Sequence, residues 1–122
     1  MDPRQRGKWG EKVAHEYLSK NNYKVIATEF RSRFGEIDII AKNKEYLVFV
    51  EVKTRKNAAF AHAREYVGKV KQRKMIATAK YWLAIRPTGL QPRFDVIEIY
   101  TKNEAATTSP EIIHIENAFG AG

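Results

Sequence analysis

Between Phe34 and Lys56 the chain reads FGEIDIIAKNKEYLVFVEVKTRK. Phe34 to Ala41 and Tyr46 to Thr54 are rich in β-branched and aromatic residues, and Lys42-Asn43-Lys44 interrupts them, so the stretch predicts two strands joined by a polar turn. Side chains alternate across a strand, which sends Leu47, Phe49, Glu51 and Lys53 one way and Val48, Val50 and Val52 the other. Both faces of the second run are therefore largely apolar, the pattern of a central strand covered on each side. Asp38, Glu51 and Lys53 are set into these apolar runs. A carboxylate in such a setting costs free energy unless a cation or hydrogen-bond donors meet it. Pairing the two runs as a hairpin about Asn43 puts Asp38 near the level of Val48 to Val50, one or two pleats from Glu51. At a strand spacing of about 4.8 Å the two carboxylates are then close enough to share one ion.

The flanking sequence predicts what covers that hairpin. Residues 1–7 are polar and basic and read as frayed. From Lys8 to Lys20, Trp9, Val13, Ala14, Tyr17 and Leu18 recur at helical spacing. Glu11 falls in the first turn of that helix, at the edge of its apolar face, where an acid favours the positive end of the helix dipole. Tyr23 to Arg31 reads as a first strand. After Lys53 comes a basic, patternless loop, then a long helix from about Arg64 to Ile85 with Val67, Val70, Ala77, Tyr81 and Ala84 as its core stripe. Ile76 and Leu83 form a second apolar side, which suggests a neighbouring element or a partner subunit. Lys69, Lys71, Arg73 and Lys74 surround Gln72 in the first half of this helix, and the simplest reading of such a run is a solvated face. Arg86-Pro87-Thr88-Gly89 ends the helix. Arg93 to Tyr100 alternates as a strand, residues 102–110 read as a loop, and Glu111 to Glu116 reads as a last strand antiparallel to its predecessor. The order is helix, three strands, long helix, two strands, within a single α/β domain spanning residues 1–122.

Charge and composition narrow the partners. Lys and Arg number 22 against 14 acids, a net charge of +8, which favours a polyanionic partner. There is no cysteine, which excludes a disulfide framework and thiolate metal sites. No apolar run approaches the ~20 residues of a membrane span, and the start shows no secretion signal, so the expected location is the cytoplasm. His15, His62 and His114 lack ligand spacing and argue against zinc. Arg31, Arg33, Arg55 and Lys56 flank the hairpin and would form a basic rim that positions a phosphate backbone without reading sequence. Trp9 and Trp82 read as core or interface residues.

Two acids and a lysine in adjacent apolar strands are hard to explain structurally, since apolar replacements of such groups are often neutral or stabilising. Divalent-metal hydrolysis of a phosphodiester does want them. Mg²⁺, or Mn²⁺, prefers oxygen ligands and keeps several waters, so Asp38, Glu51 and the carbonyl of Val52 would suffice as its protein ligands. The metal polarises the phosphate and acidifies a bound water. Lys53, on the face of Glu51, would orient that water or offset charge growing in the transition state.

GEIDIIA followed by LVFVEVKTR resembles the YraN-type family of bacterial proteins, themselves similar to archaeal Holliday-junction resolvases and the PD-(D/E)XK nucleases. The resemblance spans nearly the whole chain and includes Gly10-Glu11, Asn22-Tyr23, Lys71-Gln72 and Arg93-Phe94-Asp95-Val96. It implies a restriction-endonuclease-like core, a mixed sheet of about five strands flanked by two helices. It further implies that Asp38 and Glu51 are metal ligands, Lys53 the catalytic lysine, Glu11 a first-helix acid near the metal, and Gln72 a helix glutamine of the site. Ile37 stands where the superfamily label has proline. The expected activity is metal-dependent endonuclease cleavage of DNA, with branched or junction DNA as a candidate substrate. Lys69, Lys71 and Arg73 join the rim arginines as candidate DNA contacts. Symmetric cutting of a junction would favour a two-fold homodimer. The alternative is a non-catalytic nucleic-acid-binding partner in DNA processing that keeps the nuclease-like fold.

Overall fold

The two alternating runs are neighbouring strands of one five-stranded sheet. In a computed structural model, which describes residues 2–55, 67–101 and 109–120, the elements are α1 (Pro3–Lys20), β1 (Lys24–Ser32), β2 (Gly35–Lys42), β3 (Tyr46–Arg55), α2 (Lys69–Ile85), β4 (Gln91–Tyr100) and β5 (Glu111–Phe119). The strands lie in sequence order. β3 and β4 are parallel and the other neighbours antiparallel. Parallel neighbours need a crossover, and α2 lies in it. The expected mixed sheet with two helices and the order α-β-β-β-α-β-β is what forms.

Both faces of the sheet are covered. Leu47 and Phe49 of β3 pack with Met75, Ala79 and Trp82 of α2 and with Phe94 and Val96 of β4. Val48 and Val50 pack with Ala14 and Leu18 of α1 and with Ile97 and Ile99 of β4. Each such side chain, fully removed from water, contributes about 1.5–3 kcal/mol. On β2, Ile37 and Ile40 join the α2 side while Ile39 and Ala41 join the α1 side, so strict alternation breaks at Asp38.

Three local expectations change. Residues 3–7, expected ahead of the first helix, belong to α1. Asp2 accepts from the Gln5 N–H at 2.8 Å while the Gln5 side chain accepts from the Asp2 N–H at 2.9 Å, and Pro3 follows the cap. With α1 starting at Pro3, Glu11 lies well inside the helix, beyond the favourable end of the dipole. Next, α2 starts at Lys69 behind Gly68, and Val67 is buried ahead of the helix. Arg64, where the helix was expected to start, lies outside the described residues. Its core stripe is Met75, Thr78, Ala79 and Trp82, whereas Val70 and Tyr81 are exposed at 59% and 44%. This helix is apolar on two sides, so periodicity could not select the buried one. The β1–β2 turn selects it. Gly35, at φ +154°, lets Lys74 and Thr78 of α2 approach where a β-carbon would stand 3.1–3.3 Å from them.

Finally, the β2–β3 register is Ile39↔Val50, Ile40↔Phe49, Ala41↔Val48 and Lys42↔Leu47. Asn43 accepts from the N–H groups of Glu45 and Tyr46 and opens a four-residue turn. Continuing that register puts Asp38 level with Glu51, past the expected Val48 to Val50. Among the described residues no helix is long and apolar enough to cross a membrane.

Candidate functional site

The β2–β3 pairing runs to Ile39↔Val50 and stops. One residue further, the Asp38 carboxylate takes the place of a backbone partner and accepts the Val52 N–H at 2.8 Å. Glu51, only 5% exposed, hydrogen-bonds to the Asp38 carboxyl. Burial first, then the bond to Glu51 and its charge, push Asp38 up to about 8, against the Val52 N–H and the charge of Lys71.

Two ammonium groups flank the pair. Lys53 Nζ lies 3.9 Å from Glu51 Oε2, and Lys71 Nζ, reaching down from α2, lies 3.5 Å from the same oxygen. Lys53 keeps a third of its side chain exposed. Its place two residues after Glu51 puts both on the face that α2 covers.

Glu11 approaches from the other face. A β-carbon at Gly10 would collide with Oγ1 of Thr54, so the absence of a side chain there lets α1 lie directly on β3. Burial pushes Glu11 up to about 7, helped by the charges of Asp38, Glu29 and Glu36 and opposed by Arg31. Glu29 lies on β1 with a left-handed φ of 49°.

Asp38, Glu51 and Lys53 are thus together, as expected, and Glu11 feels the field of Asp38. Among the described residues, however, no three acids or histidines stand together as a ready-made metal cage. Of the expected set of Asp38, Glu51, Val52 and Glu11, the structure brings Asp38 and Glu51 together, Val52 meets Asp38 through its N–H, and Glu11 feels the charge of Asp38. The Asp38–Glu51 pair still fits a hard divalent cation. Its acids are largely removed from water and the charge of Glu51 weighs on Asp38, a strain that a cation would relieve, and Mg²⁺ is commonly bound through one or two carboxylates with waters completing its shell.

Gln72, expected as a helix glutamine of the site, makes a local bond. Its amide donates to the Val67 carbonyl at 2.7 Å and ties down the start of α2. Lys71, expected as a DNA contact, is the α2 residue that meets Glu51. Of the rim, Arg31 is exposed and 3.3 Å from Glu36. Arg33 is exposed with its guanidinium 4.8 Å from the Phe34 ring centre. Arg55 is drawn inward, 3.5 Å from the buried Glu98. Lys69 and Arg73 are exposed on α2. Lys56 and His62 lie outside the described residues.

Two charged groups escaped the sequence reading. Glu98 stands beside Lys53 in the parallel register and bonds both Arg55 and Tyr100. At the other end of the sheet, Asp95 is fully buried. It receives Arg93 through two nitrogens at 2.9 and 2.8 Å, His114 Nε2 at 2.7 Å and the Asn117 N–H at 2.9 Å. Arg93 also donates to the Tyr23 hydroxyl at 2.6 Å, and Tyr17 bonds His114 Nδ1 at 3.1 Å. Burial would raise Asp95, but the bonds from His114, Arg93 and Asn117 hold it below the usual carboxylate range. The signal was present: Arg93 and Asp95, two apart on a strand, must share a face. This network ties together α1, the α1–β1 connection, β4 and β5.

The sequence model of the uncharacterised protein family UPF0102 matches residues 10–99. The chain is 44% identical over 114 residues to a UPF0102 protein of Caldanaerobacter subterraneus, covering 93% of each. It is 40% identical over 114 residues to one from Syntrophotalea carbinolica, covering 93% of this chain and 89% of that one. With one from Clostridioides difficile it shares 40% over 120 residues, 98% of this chain and the whole of the relative. Among solved structures, that of Pyrococcus furiosus SfsA in complex with Ca²⁺ aligns at 16% identity with a TM-score of 0.33, covering 94% of this chain and 64% of that one.

Proposed function

The chain belongs to the uncharacterised protein family UPF0102, and we propose that it is a metal-dependent endonuclease acting on DNA. One observation carries this reading: a carboxylate pair, Asp38 and Glu51, sits where the β2–β3 pairing ends, with the ammonium groups of Lys53 and Lys71 within 4 Å of Glu51. A structural ion pair needs one cation and one acid, and here two acids are forced together. The net charge of +8 and the order of helices and strands support the same reading.

In this reading Asp38 and Glu51 hold Mg²⁺ or Mn²⁺, which supplies Lewis acidity toward a phosphate oxygen and a more acidic water. Asp38 is fixed for that work by the Val52 N–H, and Lys71 orients Glu51 from α2. Lys53, partly open to solvent, offsets charge that grows on the phosphate. Glu11 is a positioning residue that biases the protonation of Asp38 across the sheet.

The test is cleavage of labelled linear, flap and four-way-junction DNA with Mg²⁺, Mn²⁺, Ca²⁺ or EDTA. Cleavage with Mg²⁺ or Mn²⁺ and none with EDTA is expected, and Lys53→Ala is expected to bind but not cut. Equal cleavage by Lys53→Ala sinks the assignment. The second reading, a non-catalytic nucleic-acid-binding partner, is favoured by the two cations that already meet Glu51. It requires DNA binding that is indifferent to divalent metal and no cleavage of any substrate in the panel.

A further inference from the structure

Beyond the carboxylate pair, the same side of the sheet carries an unusual surface. α2 has five cations, Lys69, Lys71, Arg73, Lys74 and Lys80, and no acid among its 17 residues. Cations at a helix N-terminus oppose the dipole, and Lys69 with Arg73 places like charges at i and i+4, so helix stability does not account for them. Further along the helix, beside the β1–β2 turn, rings and guanidinium groups interleave. Tyr81, 44% exposed, lies 6.1 Å from Phe34 and 6.3 Å from Phe30, centre to centre. Phe30 meets Trp82 edge to face at 5.0 Å. Arg33 lies over Phe34 at 4.8 Å and Arg86 over Trp82 at 3.9 Å. None of these six residues is acidic, and Phe34 and Tyr81 leave ring surface open to solvent.

A core needs no exposed rings, and a solvated face needs no aromatic residues. A second copy of the chain packed here would oppose like-charged surfaces, which costs free energy with no acid on α2 to offset it. The occupant that matches both features is an unpaired nucleic-acid strand, polyanionic along its backbone and with a π-face on every base. Lys71, at Glu51, and Tyr81 are ten residues apart on one helix, about 15 Å at 1.5 Å per residue. A strand a few nucleotides long bridges that distance.

We propose that Phe34 and Tyr81, braced by Phe30, Trp82, Arg33 and Arg86, form a stacking subsite for unpaired bases of a nucleic-acid strand whose phosphates follow α2 to the carboxylate pair. The proposal rests on the reading of that pair as a DNA-cleaving site, and it deepens that reading by directing the enzyme to substrates with a single-stranded arm. It also assigns Phe34 and Tyr81 as specificity-determining residues for substrate structure rather than sequence.

The test measures binding in EDTA, where no cleavage intrudes, by fluorescence anisotropy. Three labelled DNAs are compared: a blunt duplex, the same duplex with a short single-stranded tail, and one whose tail has abasic sites with all phosphates kept. Stacking of a base on an aromatic side chain makes the wild type bind the normal tail about tenfold more tightly than the abasic one. Tyr81→Ala and Phe34→Ala lose that difference and keep their affinity for the blunt duplex, while Tyr81→Phe retains it. Both residues are solvent-exposed, and circular dichroism checks that each variant is folded. Equal wild-type affinity for normal and abasic tails overturns the proposal. So does an undiminished difference in the two alanine variants, or a wild-type dimer that Tyr81→Ala converts to monomer without altering base-dependent binding. Base-dependent binding without metal-dependent cleavage would instead remove the nuclease reading and leave the stacking subsite standing. Cleavage without base dependence would do the reverse.

Discussion

Neutralising Asp38 should make the metal-free protein more stable, and the pH dependence of that gain is diagnostic. Asp38 titrates from its ordinary 3.8 up to about 8 in the fold. A carboxyl raised in this way is protonated in the folded state over a range where the unfolded chain has already ionised. Its contribution is therefore destabilising: absent below about pH 4, growing as pH rises, and level above the folded value near 8. At 1.36 kcal/mol per unit, an isolated group would cost about 4 kcal/mol at pH 7. The shift of Asp38 arises partly from its neighbour Glu51, so the cost belongs to the pair, and Asp38→Asn recovers only part of it, roughly 1–3 kcal/mol. Asparagine keeps an oxygen for the Val52 N–H and gains an amide that can donate to Glu51, so shape is nearly unchanged. The assay is urea unfolding of wild type and Asp38→Asn in EDTA between pH 5 and 8, repeated with excess Mg²⁺. The gain of the variant should be small near pH 5 and clearly larger at pH 8. Mg²⁺ should raise the stability of the wild type, as any ligand selective for the folded state does, and leave the variant unmoved. A variant destabilised at pH 7 by about 3 kcal/mol or more, with no Mg²⁺ response in the wild type, would refute the reasoning. It would mean that Asp38 is a partner in a structural ion network.

Asp95→Ala should be among the most damaging single changes, about 3–5 kcal/mol by urea unfolding, because Arg93 and His114 are left without the buried acid that both meet. Since Asp95 is held below its usual range, its contribution is present above the unfolded value near 3.9 and lost as pH falls through the folded one. The variant should therefore show a shallower loss of stability below pH 4. Gly10→Ala should cost about 1–3 kcal/mol by crowding Thr54, and Thr54→Ala in the same chain should restore most of it, both read by thermal unfolding. Replacing Lys69, Arg73 and Lys74 by alanine should flatten the dependence of log K for duplex DNA on log salt by about 0.9 for each phosphate left without its cation. An unchanged slope would move the binding surface away from α2.

The site divides along the same line as the fold. Asp38, Glu51 and Lys53 were legible because a charged residue inside an apolar, β-branched run is costly without a partner, and alternation alone places Glu51 and Lys53 on one face. Gln72 and Lys71 were not separable in that way. They are adjacent on a helix, and a one-residue difference is a rotation of about 100° that only the docked helix fixes. The sequence places Arg55 in the basic rim, since nothing local announces that Glu98, on a strand 43 positions later, lies beside β3.

Element order, the two-sided burial of β3 and the charged residues at its end could all be read along the chain, because period-2 and period-3.6 patterns and the cost of a lone buried charge are local properties. Relations between segments came only with the fold. The turn opened by Asn43 sets Asp38 level with Glu51, Gly10 lets α1 close on Thr54, and Gly35 selects which apolar side of α2 faces the sheet. Each depends on two segments meeting at touching distance. A pattern along one segment carries no information about the register or rotation at which another will dock.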